Sequence, residues 1–164
     1  MLTFGVVVLG VADRQRAEEF WCAALGYEVR KDGFGGWARV LIPPGGTGNA
    51  IALQTSRTPP ADYPRLHFDL HVTGADEQEA EAARLVSLGA SRVDWDSYPD
   101  DPDFIVLADP EGNRFCIVDL AHEEHQRREH DPSAASRPWA GPAGTSAAAY
   151  SPRPARHRSG RWFR

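Results

Sequence analysis

Cysteine, long apolar runs and the compact motifs of several enzyme classes are scarce or missing in this chain of 164 residues. The two cysteines, Cys22 and Cys116, are too few for the disulfide framework of a small secreted protein. They fall in segments that read as a helix and a late strand, so a reducing compartment, the cytoplasm, is the expected location. The apolar stretch at residues 1–12 has no basic flank, is too short to span a bilayer and is rich in β-branched residues. It reads as a strand, not as an export signal or an anchor. No Gly-rich phosphate loop and no nucleophile elbow occurs. His122-Glu123-Glu124-His125 spaces its histidines three apart where a zinc-protease helix needs four, and no flanking apolar helix supports it.

What is present suffices for one domain, because a chain of this length can bury about two-thirds of the surface that its unfolded form exposes. The charge is divided unevenly. Residues 1–120 carry 10 basic and 19 acidic side chains, a net of −9, whereas residues 121–164 carry 8 and 4, a net of +4. The acidic body is expected to repel nucleic acid. The basic segment is rich in Ala, Pro, Ser, Gly and Arg beyond Asp131 and cannot bury enough apolar surface to offset its ordering entropy, so residues 121–164 are expected to form a largely disordered tail. Two pairs four apart, Glu123/Arg127 and Glu124/Arg128, suit two or three helical turns at its start, and Trp139, Tyr150, Trp162 and Phe163 are aromatic rings available for docking.

The hydrophobic period changes several times along residues 1–120. Thr3–Gly10 is a β-branched run of strand length. Asp13 is placed to cap a helix in which Ala17, Phe20, Trp21, Ala24 and Leu25 recur on one face, and Gly26 stops it. Three extended runs follow, Tyr27–Asp32, Trp37–Ile42 and Asn49–Thr55, parted by turns such as Pro43-Pro44-Gly45-Gly46. The same order then repeats: strand Leu66–Thr73, helix Ala75–Leu88 with a stop at Gly89, and runs Ser91–Trp95, Phe104–Ala108 and Asn113–Asp119. Leu25-Gly26 and Leu88-Gly89 lie 63 residues apart, and Gly48-Asn49 and Gly112-Asn113 lie 64 apart. The chain therefore reads as two βαβββ modules, about 1–57 and 66–120, joined by a linker at 58–65 containing Pro59, Pro60 and Pro64.

This duplicated order, with Asp109-Pro110-Glu111-Gly112-Asn113 before the last strand and Ala17-Glu18-Glu19-Phe20-Trp21 in the first helix, resembles the vicinal oxygen chelate superfamily of glyoxalases, bleomycin-resistance proteins and extradiol dioxygenases. Arg65-Leu66-His67-Phe68-Asp69-Leu70 and Asn113-Arg114-Phe115-Cys116 are similar to its glyoxalase-like subgroup. The resemblance implies an α+β fold in which each module curls into half of an open mixed-sheet barrel around a ligand cleft, and it implies a homodimer. It also implies a divalent metal in the enzymes, held from four strand positions. Those positions fall here on Val6, on Ala52 or Gln54, on His67 and on Cys116. One imidazole, at most one amide and a thiol make a poor set for a hard divalent ion, so no cofactor is expected; a site for Zn, Ni, Fe or Mn would need unexpected ligands such as His71, Asp69 and Gln54.

Alternation along residues 66–72 puts Leu66, Phe68, Leu70 and Val72 on one face and His67, Asp69 and His71 on the other, with like-facing neighbours roughly 6–7 Å apart. His67 and Asp69 are an acid–base pair in one reading and a hydrogen-bonded pair that only positions a ligand or braces strands in the other. Arg114 and Cys116 share a face of the last strand, where Arg114 suits an anionic ligand group or a structural ion pair, and Cys116 reads as an inert wall. Trp37, Trp95 and Phe104, with His71 and Gln54, are candidate ligand contacts, although core packing explains the rings equally well. The expected function is metal-independent binding of a small organic ligand, by sequestration or with acid–base turnover of a lyase or isomerase kind. Metal-dependent lyase, isomerase or dioxygenase chemistry and an interaction module with a vestigial cleft are the alternatives. Glyoxalase I chemistry is not expected, because it uses the metal to stabilise an enediolate.

Overall fold

The computed structural model describes residues 2–30 and 33–122. The first module runs β1 (Val6–Val11), α1 (Arg14–Leu25), β2 (Glu28–Val29), β3 (Ala38–Ile42) and β4 (Ala50–Thr55). The second runs β5 (Asp69–Val72), α2 (Ala75–Ser87), β6 (Ser91–Arg92), β7 (Phe104–Ala108) and β8 (Arg114–Asp119). Their sheets have the same order, β1-β4-β3-β2 and β5-β8-β7-β6. In each, the first strand lies parallel to the last and the other pairings are antiparallel, so the α+β duplication is as expected. No helix among the described residues is long and apolar enough to cross a membrane.

Local chemistry explains the helices. The Asp13 carboxylate accepts hydrogen bonds from the Gln15 and Arg16 amides at 2.9 and 3.2 Å, filling part of the donor deficit at the start of α1. Gly26 ends it at φ 65°, a left-handed conformation that a side chain disfavours. The strands are shorter than the hydrophobic pattern predicts, since an extended run becomes a strand only where a neighbour pairs with it. β1 begins at Val6, opposite Ala50 at the start of β4, and Leu2 and Phe4 before it are exposed. β2 and β6 keep two residues each at the sheet edges. β5 starts at Asp69, so His67 lies two residues ahead of it, tied in by the Cys116 amide donating to the Phe68 carbonyl at 2.8 Å.

One face of each sheet meets the helices. Leu9, Val11, Leu41, Ile51 and Leu53 of the first module and Val72, Leu107, Phe115 and Ile117 of the second form a single core with Phe20, Trp21, Ala82 and Leu85 from α1 and α2. Trp21 is fully buried at its centre and meets Phe20, Phe68 and Phe115 edge-on, at 5.2–5.5 Å between ring centroids. The expectations placed on residues 123–164, and on Lys31 and Asp32 at the end of the second extended run, lie outside the described residues.

Beyond the shared core, the modules are joined where Arg84 of α2 donates to the Ala23 and Ala24 carbonyls of α1 at 3.2 and 2.8 Å, and at the last turn of the second module. The Glu111 carboxylate accepts from the Ala12 and Asp13 amides at 2.6 and 2.8 Å and from Arg16 Nε at 2.6 Å. Asp109, also buried, accepts from Trp21 Nε1 at 3.0 Å, and Asn113 Nδ2 donates to the Gly10 carbonyl at 3.2 Å. The Asp109–Asn113 turn of the second module thus satisfies the entrance to α1 of the first.

Candidate functional site

The opposite, concave face of the second sheet forms an open cleft of about 520 Å³, within the range of small-molecule sites. Strand alternation builds its floor. His67, Asp69 and His71 enter from β5 and its approach, Arg114, Cys116 and Val118 from β8, and Phe104 and Val106 from β7. Trp95 and Asp103 add to its walls, and Pro64 of the linker closes one side.

His67 Nε2 stands 3.3 Å from Asp69 Oδ1, with both side chains about half exposed to the cleft. Asp69 is the register partner of Cys116 on β8. Burial, with the negative charge and hydrogen bond of Asp69 in support, pushes the Cys116 thiol from an ordinary 9.0 up to about 11. A thiol raised in this way is neutral near pH 7 and a poor nucleophile. Imidazole, carboxylate and sulfur can bring one ligand atom each within 4.8 Å of one another.

Arg114 lines the cleft and is ion-paired. Its side chain is 18% exposed, its guanidinium carbon lies 5.4 Å from the centre of the Trp95 ring, and its Nη2 donates to Asp62 on the linker at 2.9 Å. Tyr63, next along the linker, packs its ring 5.1 Å from Trp95 and donates its hydroxyl to Asp96 at 2.7 Å. Tyr98 stacks on Phe104 at 5.3 Å and accepts from the Val106 amide at 2.8 Å. The cleft is therefore polar along β5 and aromatic on the far side.

Of the residues singled out from sequence, His67, Asp69, His71, Arg114, Cys116, Trp95 and Phe104 come together here. Gln54 and Trp37 belong to the first module and do not reach this cleft within one chain. Gln54 is exposed on β4, and Trp37 packs against Phe34 at 5.6 Å. Val118 follows from the same alternation as Arg114 and Cys116, whereas Asp103, Val106 and the linker residues Asp62, Tyr63 and Pro64 were not foreseen. Alternation from Phe104 would have reached Val106, but nothing in the linker's composition places it beside Arg114.

The fit of the superfamily's metal is decided on the first module. The turns Gly48-Asn49 and Gly112-Asn113 lie 64 residues apart, which sets Ala52 against Cys116; Ala52 then pairs with Val8 across β1 and β4 as Cys116 pairs with Asp69 across β5 and β8. Val6, Ala50 and Ala52 belong to an apolar cluster with Ala38, Val40 and Ile42. No donor for a hard divalent cation projects from these positions, and the second module offers a thiol in place of an oxygen ligand. The four-position set does not fit that ion.

A family model described as a glyoxalase-like domain matches residues 6–118. Among solved structures, a manganese-bound variant of the fosfomycin resistance protein FosX from Listeria monocytogenes, in complex with dihydroxypropylphosphonic acid, superimposes with a TM-score of 0.56 at 15% identity, covering 79% of this chain and 98% of its own. A glyoxalase/bleomycin resistance protein/dioxygenase family enzyme from Burkholderia phytofirmans gives 0.56 at 16% identity over 71% and 97%. A hypothetical protein from S. aureus gives 0.56 at 14% over 73% and 98%. The search of curated proteins returns no match. At these identities the structural likeness establishes the fold.

Proposed function

We propose that this chain, which belongs to the glyoxalase-like domain family, binds a small, flat organic ligand in the cleft of its second module without the hard divalent metal of its enzymatic relatives. The observation that carries this reading is the division of the two concave faces. One carries a cluster of small apolar residues with no ionisable member, and the other is an open cleft of about 520 Å³ with ionisable side chains on its floor and aromatic rings on its wall. His67 and Asp69 stand where an imidazole could take a proton from a bound ligand or return it, with the carboxylate holding the ring. Asp69→Asn is expected to leave the fold intact and to shift any pH-dependent activity or ligand binding, whereas unchanged binding with an unchanged pH profile would make the pair structural. Residues 1–120 are taken as the working domain in a reducing cytoplasm, with residues 121–164 as an appendage beyond the family match. It is proposed to act as a homodimer, in which a second copy would bring Gln54 and Trp37 toward the cleft; a stable monomer in sedimentation at micromolar concentration would count against that.

The test is an amide NMR titration with indole and benzamide as neutral probes. Shifts confined to residues 67–71, 95 and 114–118 support the reading, whereas shifts on β1 and β4, or none at all, reject it.

A second reading has one observation in its favour, the convergence of His67, Asp69 and Cys116. A borderline ion of the zinc type accepts imidazole, carboxylate and thiolate and leaves a position for ligand or water. Elemental analysis of the purified chain and cobalt(II) titration, read by thiolate charge-transfer absorbance that Cys116→Ser abolishes, would establish it; the absence of both would remove it.

A further inference from the structure

We propose that the ligand of this cleft is a small organic anion, and that Asp62 occupies the place of its carboxylate on Arg114 until the ligand arrives. This rests on the ligand-binding reading of the same cleft. The two halves of the Arg114–Asp62 pair are unequal. The guanidinium is fixed in the protein wall, 18% exposed and lying over Trp95, while the Asp62 side chain is 87% exposed on the linker. A guanidinium carries five donors in a planar fork, and the contact with Asp62 uses one of them. A carboxylate arriving from the cleft can engage two in parallel, away from competing water.

The linker holds Asp62 in reach. Pro60 packs so closely on the Asp109–Asn113 turn that a Cβ on Gly112 would come within 2.7 Å of it, and Tyr63 is seated on Trp95 and tied to Asp96. Asp62 is therefore an intramolecular competitor at high local concentration. The remaining charges give the cleft a direction. Asp69 repels an anion from the β5 side and Asp103, just before β7, repels it from the end of β8 away from Arg114, which leaves Arg114 as its seat and the rings of Trp95 and Phe104 as the surface for the apolar body. The linker thus sets both selectivity and affinity.

The experiment compares benzoate with neutral benzamide by calorimetry on the full chain, with acetate as a bare carboxylate followed at the Arg114 Nε resonance. In the wild type benzoate is expected to bind more tightly than benzamide. Asp62→Asn, at an exposed position that cannot affect folding much, is expected to tighten benzoate about fivefold by freeing the competent state and to leave benzamide unchanged. Arg114→Gln is expected to erase the preference. Equal binding of the two probes in wild type and Asp62→Asn, or an Arg114 Nε resonance unmoved by acetate in Asp62→Asn, overturns the proposal. Benzamide binding that persists in that case leaves the broader cleft reading standing, whereas loss of both probes fails both.

Discussion

Val8 and Ala52 face one another in the first module as Asp69 and Cys116 do in the second, yet the first pair is wholly apolar and the second carries a carboxylate and a thiol. The helix-facing sides show no such divergence, since both sheets contribute Val, Leu and Ile to one shared core. The contrast shows which face the fold requires. A βαβββ module needs its helix side to be apolar because burial there supplies most of its stability, whereas its concave side can be filled with small residues or opened to a ligand.

The sharpest way to break this comparison is to make the same change at counterpart positions. Ala52→Gln places a long amide in a fully buried site with no partner, and is expected to cost about 3 kcal/mol. Cys116→Gln extends into the open cleft and should cost about 1 kcal/mol or less. Urea unfolding of both variants reads the difference directly, and equal costs would show that the two faces are not distinct environments.

Next in size is the fastening between modules. Glu111→Ala strands the Ala12 and Asp13 amides and the Arg16 guanidinium, for an expected loss of about 2–3 kcal/mol. Burial alone would raise the Glu111 pKa, but the Asp13 and Ala12 amides and Arg16 outweigh it and hold the carboxyl below its ordinary 4.5. Its contribution is therefore complete above that ordinary value and is lost as pH falls through the lower folded value. Glu111→Gln should flatten the acid limb of the stability curve, and an unchanged limb would assign acid unfolding elsewhere.

A third, smaller effect concerns the cleft floor alone. Cys116 titrates near 11 when folded against an ordinary 9.0, so the associated stability is present below about 9 and declines as pH rises toward 11. Asp69→Asn removes a negative charge and a hydrogen-bond partner and should lower the pH midpoint for alkylation of Cys116; burial, the larger cause, keeps it above 9.0. No movement of that midpoint would mean that Asp69 and the thiol do not sense one another. The same substitution is expected to change unfolding free energy by about 0.5 kcal/mol or less, because Asp69 is half exposed.

The duplication, both helices with their stops, and the strand facing of His67, Asp69 and Cys116 were legible because each follows from local periodicity or capping chemistry. Asp13 and Gly26 mark the ends of α1 by side-chain acceptance and by backbone freedom, and neither depends on distant residues. Strand limits were less legible, since the ends of β1 and β5 are set by where β4 and β8 offer partners. The linker's part in the cleft was hidden for a similar reason. Asp62 is separated from Arg114 by 52 residues, and their meeting depends on how the second sheet curls. Gln54 entered the candidate site through a two-residue ambiguity on β4, where it and Ala52 share a face.

The Asp109–Asn113 turn has a consequence for how such chains are classified. The string that signals kinship here supplies no side chain to the cleft; its carboxylates are spent on the indole of Trp21 and the amides that open α1. What this signature builds is a joint. In this chain it clamps two half-barrels together, while the cleft's side chains stand on the other side of the second sheet. Kinship read from this turn transfers architecture and leaves the substrate to be read afresh from each concave face.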